Sequence, residues 1–267
     1  MAPLPPLTES LVHFLDPYLP RKVPIASLNR SDTDENLPFI TLTFAQSIDS
    51  RISSSPGVRT SISHLETKTM THYLRSKHDA ILVGIGTFLA DDPSLNCRFK
   101  INDDDPNHLI RPVIIDPTFK LGPFYENSKL RQAYLEKKGL PPIVLVKLST
   151  INSNPEIESF CLHHDIVLLP LDNESAPRFQ WMVVFRELKK RSIMSVMVEG
   201  GASVINSLLL SRDSSSGKPL INSLIITIGP VFLGKSGVEV SPCKELHLTD
   251  VSWWTGVQDS VVCGHLN

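Results

Sequence analysis

The chain has 267 residues, of which 41% are hydrophobic and 20% are charged, and its formal net charge is −2. Such a composition is typical of a folded globular protein with one large α/β domain or two small ones, and it excludes the basic footprint of a nucleic-acid or anionic-membrane binder. No apolar run reaches the roughly 20 residues that span a bilayer, and the N-terminus lacks the basic start and apolar core of a signal peptide.

The four cysteines, Cys97, Cys161, Cys243 and Cys263, are far apart and form no C-x-x-C pair. A chain of this size does not need a disulfide framework, and structural zinc sites use closely spaced cysteine and histidine ligands. The sequence therefore predicts neither disulfides nor a metal site, and it favours the reducing cytoplasm as the location.

The first 37 residues form a proline-rich arm, and the predicted domain comprises residues 38–267. The arm contains one helix candidate, from Glu9 to Tyr18, followed by the polar loop SLNRSDTDENLP. The sequence of the arm indicates no function, and one interpretation is that the arm is a loosely docked extension of the domain. The domain then opens with FITLTFAQSID, whose alternating β-branched residues predict a strand.

Helix and strand patterns alternate after this first strand. SHLETKTMTHYLRSKH has the apolar spacing of a helix that starts near Ser63 or His64, and the strand AILVG and a helical turn at TFLAD follow. RPVIID, PPIVLVK and DIVLLPL are continuous apolar runs of strand length, as in strands covered on both faces. An amphipathic helix is predicted from Pro177 to Arg191.

The C-terminal part continues with MSVMVEGGASVINSLLLS, which is typical of a strand, a glycine turn and a helix. The strand INSLIITIG follows, and ELHLTDVSWW and DSVVCGHLN predict two antiparallel strands. Together these patterns predict an α/β fold with a mainly parallel central sheet, helices on both faces and antiparallel C-terminal strands. Ligands bind such sheets at the carboxyl ends of the strands, where GIGTFLADDP, VEGGAS and GPVFLGKSG lie.

The segment VEGGAS permits two interpretations. Gly200 and Gly201 allow close backbone approach to a phosphate, and the free N–H groups of the following helix attract an anion. Glu199, the last residue of the strand pattern, would then project into the same cleft. The alternative is a close strand–helix turn with a capping acid, because Gly-Gly alone is a weak signal.

The segment GIGTFLADDP is equally open. If Thr87 lies in a helical turn, Asp91 shares its face four residues later, and both could bond to the ribose or amide groups of one ligand. The alternative is a capping threonine followed by a solvated acid pair. Beyond it, Leu95 and Arg98 follow, and an arginine can clamp a phosphate with two hydrogen bonds, although most single arginines lie on the surface.

The first strand is followed by polar residues that include Asp49, which fit either a cleft or a plain hairpin. Several chemistries are not indicated, because the chain has no G-x-S-x-G elbow, no G-x-x-x-x-G-K-[ST] phosphate loop and no paired histidine zinc motif. Analysis of the residues alone therefore reaches a ligand with phosphate groups in an α/β cleft.

A resemblance to a known family extends this conclusion. TLTFAQSIDSRIS, GVRTSISHLETKTMTHYLR, DAILVGIGTFLADDPSLNCR, RPVIID, SVMVEGGASVINSLLL and NSLIITIGPVFLG, in this order, resemble the reductases of the riboflavin pathway. The match covers about residues 38 to 266 and resembles the fungal members most, and the deaminase domain of the bacterial members is missing.

The resemblance implies a dihydrofolate-reductase-like fold, NADPH as the hydride donor, a phosphorylated pyrimidine as the substrate and a homodimer. The residues that it places at the cofactor are Thr87, Asp91, Asp116, Gly200, Gly201 and Ala202. The residues that it places at the substrate are Leu95, Arg98 and Glu199.

The implied reaction reduces a ribosylamino side chain to a ribitylamino side chain. A proton must reach the nitrogen of the opened imine, and the candidate donors are Glu199 first, Asp49 second and an ordered water third. Four basic residues are candidates for the 2′-phosphate of the cofactor: Arg59, Lys68, Lys120 and Lys147. A reductase of another pyrimidine or of a pterin, and a non-catalytic nucleotide-binding module, stay open as alternatives.

Overall fold

The computed structural model describes residues 4–21, 37–100, 108–172 and 180–267. Its strands coincide with the apolar runs of the sequence, because β-branched side chains pack well in a covered sheet. The strands are β1 (Phe39–Gln46), β2 (Arg51–Ser53), β3 (Ala80–Gly84), β4 (Arg111–Ile115), β5 (Ile143–Lys147), β6 (Val167–Leu171), β7 (Ser195–Val198), β8 (Ser223–Ile228), β9 (Val238–Glu239), β10 (Leu248–Thr255) and β11 (Ser260–Leu266).

The helices lie mostly in the connections between these strands, as the crossovers of a parallel sheet require. They are α1 (Glu9–Leu15), α2 (Leu65–Ser76), α3 (Ile85–Asp91), α4 (Gly122–Tyr125), α5 (Lys129–Leu135), α6 (Leu148–Ser153), α7 (Glu156–His163), α8 (Trp181–Lys190) and α9 (Ala202–Leu209). Within the described ranges, none of them combines the length and apolarity needed to cross a membrane.

Nine of the described strands form one sheet in the order β10-β11-β8-β1-β7-β3-β4-β5-β6. Pairing is parallel from β8 through β6, whereas β11 is antiparallel to both β8 and β10. This arrangement confirms the predicted α/β fold with a mainly parallel sheet and antiparallel C-terminal strands. The short strands β2 and β9 pair separately as an antiparallel ribbon.

Alternate residues of the strands supply the two sides of the core. Along β3, Leu82 packs in the cluster that contains Phe185 of α8 and Ile205 of α9. Its neighbours Ile81 and Val83 pack in the cluster on the opposite face. Both faces of the central strands are therefore covered, so that a ligand can reach these strands at their ends.

The described part of the N-terminal arm packs into the core, which differs from a loosely docked extension. Leu11 and Leu15 of α1 are fully buried in a cluster with residues of α2 and β8. The hydroxyl of Tyr18 donates a hydrogen bond to the carbonyl oxygen of Asp250 at 2.5 Å and lies 2.9 Å from Ser252 Oγ. Residues 22–36 of the predicted loop lie outside the described residues.

Some predicted bounds differ from the structure. The first helix ends at Leu15 and continues as a single 3₁₀ turn, Asp16–Tyr18, which has a proline near its start. The helix expected from Pro177 to Arg191 is observed as Trp181–Lys190, and residues 173–179 lie outside the described residues. The sequence predicts that α2 starts near Ser63 or His64, and in the structure His64 is the N-cap.

Candidate active site

A cleft of about 530 Å³ lies at the carboxyl ends of β1, β3, β7 and β8. Parallel strands point the same way, so that the polar loops after them meet at this edge of the sheet. The β2–β9 ribbon borders the cleft on one side through Ile52, Ser53 and Val238. The loop between β2 and α2 adds Pro56, Gly57, Val58, Thr60 and Ser63.

The glycine turn after β7 forms one wall of the cleft. A Cβ atom on Gly200 would lie 2.4 Å from Cγ1 of Val204, so that close packing of the turn against α9 requires glycine there. Gly201 is the N-cap of α9, and no side chain caps this helix. Gly201 and Ala202 both line the cleft. The first N–H groups of α9 therefore border a space that an anion can enter.

Thr87 and Asp91 form the opposing wall. Both belong to α3 and line the cleft, one helical turn apart. The N-cap of α3 is Gly84, so the alternative of a capping Thr87 is wrong. A Cβ atom on Gly201 would lie 3.0 Å from Thr87 Oγ1, which measures how closely the two walls approach. Burial raises the pKa of Asp91, and the positive charge of Arg59 opposes that shift.

Glu199 lies at the end of β7 and forms an ion pair with Arg75 of α2. The Arg75 Nε and Nη2 atoms donate to the two carboxylate oxygens at 2.8 and 2.7 Å. Nη1 of Arg75 donates to the carbonyl oxygen of Asn96 at 2.9 Å. Burial opposes the charge of Arg75, but the interaction with Glu199 outweighs it and raises the pKa of the guanidinium. This bidentate pair occupies both carboxylate oxygens of Glu199 and fixes their direction.

Leu95 and Arg98 lie beside this ion pair and are not among the described residues that line the cleft. Leu95 is buried and has a positive φ of 47°. The Arg98 guanidinium contacts the imidazole of His72 on α2, at 3.0 Å from Nε to Nε2. Burial, and secondarily the nearby Arg75, lower the pKa of Arg98. A phosphate bound beside the two guanidinium groups would relieve their mutual repulsion.

Asp49 is outside the cleft and holds two loops together. Its carboxylate accepts hydrogen bonds from Ser47 Oγ at 2.5 Å and from the backbone N–H groups of Leu233 and Gly234 at 3.0 and 2.7 Å. The Ser47 hydroxyl first, and then these N–H groups, lower its pKa to about 2. These contacts give Asp49 a structural role in the two loops, and they lend no support to its predicted role as a proton donor.

Asp116 is also placed differently from the prediction. Its side chain is fully buried, and its oxygens accept hydrogen bonds from the N–H groups of Lys120 at 2.9 Å and Leu121 at 2.8 Å. The carboxylate therefore stabilises the turn after β4, and Asp116 is not among the described residues that line the cleft.

The four basic candidates for the cofactor phosphate have different positions. Arg59 is exposed, its neighbours Val58 and Thr60 line the cleft, and its charge acts on Asp91. Lys68 donates to Ser61 Oγ at 3.0 Å on the surface of α2. Lys120 follows β4 and Lys147 ends β5, two strands whose residues do not appear in the described lining of the cleft.

The sequence interpretation missed Arg75 and His72. Both lie on α2, three residues apart, whereas the apolar stripe of the same helix consists of Met70, Tyr73 and Leu74. The available signal was the position of these two polar residues beside the apolar stripe. A helix that packs on a sheet buries such residues only where they have hydrogen-bond partners, so their position predicts a polar contact. Their partners are 124 and 26 positions away along the chain, which no periodicity reveals.

Comparison with known proteins gives the family. The profile of the RibD C-terminal domain matches residues 38–262. A 2,5-diamino-6-ribosylamino-4(3H)-pyrimidinone 5′-phosphate reductase of Debaryomyces hansenii is 50% identical over 262 residues, 98% of each chain. The reductase of the same name from Saccharomyces cerevisiae is 47% identical over 265 residues, again 98% of each chain.

Solved structures agree with the sequence relatives. The riboflavin biosynthesis reductase Rib7 of Saccharomyces cerevisiae superposes with a TM-score of 0.74 at 42% identity, covering 97% of this chain and 100% of that one. RibD of Acinetobacter baumannii shares the fold, with a TM-score of 0.66 at 21% identity over 87% of this chain and 59% of its own. The fold is thus the dihydrofolate-reductase-like fold of these proteins. The chain belongs to the RibD C-terminal domain family, among the reductases of riboflavin biosynthesis.

Proposed function

We propose that the protein uses NADPH to reduce the ribosylamino side chain of 2,5-diamino-6-ribosylamino-4(3H)-pyrimidinone 5′-phosphate to the ribitylamino form. The observation that carries the proposal is the meeting of the glycine turn after β7 with Thr87 and Asp91 across one cleft. The names and the near full-length match of the yeast relatives support the choice of substrate.

The two walls of the cleft fit a dinucleotide. Gly200 and Gly201 let the turn pack closely against Val204 and Thr87, and the uncapped start of α9 offers N–H groups to phosphate. Thr87 supplies a hydroxyl and Asp91 a carboxylate, which suit the hydroxyl and amide groups of a cofactor. We assign these residues and Ala202 to the binding of NADPH, and we omit the side chain of Asp116.

The substrate is assigned to the region of Glu199 and Arg98. In this proposal Arg98 binds the 5′-phosphate, and Arg75 adds positive charge behind it. Leu95 fixes the backbone of the segment that carries Arg98 through its buried side chain. The carboxylate of Glu199 lines the cleft and accepts hydrogen bonds from hydroxyl or amino groups of the substrate.

The reaction is a two-electron reduction at C1′ of the opened ribosylamine. When bound, NADPH supplies a hydride to that carbon, and the electron pair of the C=N bond moves to nitrogen, which takes up one proton. The protein aligns the two reactants and keeps bulk water out of the cleft. Because Glu199 is paired with Arg75 and Asp49 lies outside the cleft, we assign the proton to an ordered water and an orienting role to Glu199.

The test follows NADPH oxidation by absorbance with freshly prepared substrate, with NADH in parallel. We expect loss of NADPH absorbance with formation of the ribitylamino product. Tight NADPH binding without oxidation would contradict the proposal and favour a non-catalytic module. Oxidation only with another pyrimidine or a pterin would favour a related reductase.

The phosphate assignment is tested separately with Arg98→Ala. Loss of one charge-assisted phosphate contact costs about 1.5–3 kcal/mol, so KM for the substrate should rise about tenfold or more. Unchanged KM would remove Arg98 from the phosphate site. We also propose that the protein is cytoplasmic and forms a homodimer. Light scattering of the purified protein, which measures its mass in solution, tests the homodimer.

A further inference from the structure

His72 holds the guanidinium of Arg98 from the buried side of α2. Its Nε2 atom lies 3.0 Å from Nε and 2.9 Å from Nη2 of Arg98. The backbone oxygen of His72 accepts a hydrogen bond from Cys97 Sγ at 3.3 Å, so that the segment before Arg98 is attached to the same helical turn. His72 is only 7% exposed, and a buried polar ring needs such partners.

The ring of His72 is neutral. Burial first, and then the charges of Arg75 and Arg98, lower its pKa to about 2. A neutral imidazole has one nitrogen with a free lone pair, and two guanidinium nitrogens converge on Nε2. Nδ1 also faces a donor, the backbone N–H of Arg98 at 3.2 Å, but the two guanidinium nitrogens are closer and charged. We therefore assign the lone pair to Nε2 and the proton to Nδ1, which makes Nε2 the acceptor for the guanidinium.

A neutral acceptor differs in one important way from a carboxylate. Glu199 orients Arg75 and also cancels its charge. His72 orients Arg98 and adds no negative charge. An arginine whose direction is already fixed loses less conformational freedom when an anion binds to it.

We propose that His72 is a positioning residue for the phosphate group of the substrate, acting through the hydrogen bonds that its Nε2 accepts from Arg98. The proposal rests on the proposed function, in which Arg98 binds that phosphate. His72 itself needs no contact with the substrate.

The test measures the phosphate preference, defined as KM for the dephosphorylated substrate divided by KM for the phosphorylated one. His72→Leu removes the acceptor and keeps an apolar side chain in the buried position. His72→Gln is the matched control, because its amide oxygen can replace Nε2 as the acceptor.

We expect His72→Leu to lower the phosphate preference about tenfold through KM for the phosphorylated substrate, with kcat changed less than about twofold. His72→Gln should stay within about threefold of the wild type. A merely structural role would change KM for both substrates alike, and rescue by glutamine would then be absent.

The outcomes separate the two proposals. If Arg98→Ala keeps the phosphate preference, the phosphate assignment of the proposed function fails, and the role of His72 fails with it. If Arg98→Ala abolishes the preference and His72→Leu keeps it, only the His72 proposal is overturned.

A second measurement remains decisive if His72→Leu does not fold. The ring nitrogens of His72 are observed by NMR in protein with ¹⁵N-labelled histidine. We expect an unprotonated Nε2 whose chemical shift changes in Arg98→Ala. A protonated Nε2, or a shift that is insensitive to Arg98→Ala, would overturn the proposal.

Discussion

The carboxylates of Glu199 and Asp49 occupy similar places in the sequence pattern and different environments in the fold. Each follows a strand of the parallel sheet, and each has hydrogen-bond donors on both oxygens. The donors to Glu199 come from a side chain, Arg75, and the carboxylate faces the cleft. The donors to Asp49 include two backbone N–H groups of a neighbouring loop, and the carboxylate faces that loop.

This difference decides what the two acids can do. A carboxylate paired with a side chain can exchange part of that pairing for a ligand, because the arginine can move or share its donors. A carboxylate bonded to backbone N–H groups is part of the loop structure, and its replacement loosens the loop. We therefore expect Glu199 variants to act on the reaction and Asp49 variants to act on stability.

The largest expected effect is that of Glu199→Gln. Removal of one charge of a largely buried pair leaves Arg75 uncompensated, and kcat/KM should fall about 100-fold or more. The matched control is Asp49→Asn, for which kcat/KM should stay within about fivefold of the wild type. Equal losses in both variants, measured by steady-state kinetics, would remove the distinction between the two acids.

The kinetic split of Glu199→Gln sharpens its role. Since Glu199 is assigned an orienting role, we expect KM to rise together with a fall in kcat. A fall in kcat alone, with its pH dependence lost, would identify Glu199 as the proton donor after all. Unfolding temperature measured on the same sample separates either result from loss of structure.

A smaller effect is expected from Arg75→Lys. Lysine keeps the positive charge but cannot form the two parallel hydrogen bonds of a guanidinium with a carboxylate. We expect kcat/KM to fall about tenfold, with most of the unfolding free energy retained. Wild-type kinetics in this variant would show that charge alone, without the bidentate geometry, is sufficient.

The glycine turn beside Glu199 should give a moderate effect that depends on the position. Gly200→Ala places a methyl group against Val204 and should cost about 1–3 kcal/mol of unfolding free energy. Gly201→Ala points its methyl group toward Thr87 and should weaken NADPH binding several-fold, at about wild-type stability. Thermal unfolding and a fluorescence titration with NADPH check both. Equal NADPH affinity in Gly201→Ala and the wild type would place the cofactor elsewhere.

The smallest expected effect is a pH dependence of stability from Asp49. Its pKa falls from the ordinary value of 3.8 to about 2 on folding, so its stabilising contribution is complete above that ordinary value and is lost as the pH falls toward 2. The difference in urea midpoint between the wild type and Asp49→Asn should therefore shrink between about pH 4 and about pH 2.

Asp213 offers a control for this measurement. Hydrogen bonds from the Ser215 hydroxyl and from the N–H groups of Ser216 and Ser215 lower its pKa to about 2 as well, in a loop that does not line the cleft. Asp213→Asn should show the same loss of its effect at low pH. A difference in midpoint that grows on acidification, in either variant, would contradict the assignment of a lowered pKa.

Local sequence patterns were sufficient for the strands and for part of the site. The apolar runs predicted the parallel sheet, and the spacing of Thr87 and Asp91 predicted that they share a helical face, as the structure shows. The glycine turn was recognised from its place between a strand and a helix. These features depend on residues that are close together in the chain.

The remaining features depend on contacts between distant segments. The partner of Glu199 lies 124 positions earlier, and Asp49 receives hydrogen bonds from residues 184 and 185 positions later. No periodicity specifies which loop lies opposite a strand end. For this reason the pattern after the first strand left Asp49 open between a cleft and a hairpin, and the family resemblance placed Asp116 at the cofactor. In the structure, backbone N–H groups hold both carboxylates in turns.

The most direct measurement of the central claim traces the hydride. The protein is incubated with the ribosylamino substrate and with NADPH carrying deuterium at both C4 positions, and the product is examined by mass spectrometry and NMR. We predict one deuterium per product molecule, at C1′ of the new ribityl chain. A reduced product without deuterium at that carbon would contradict the account.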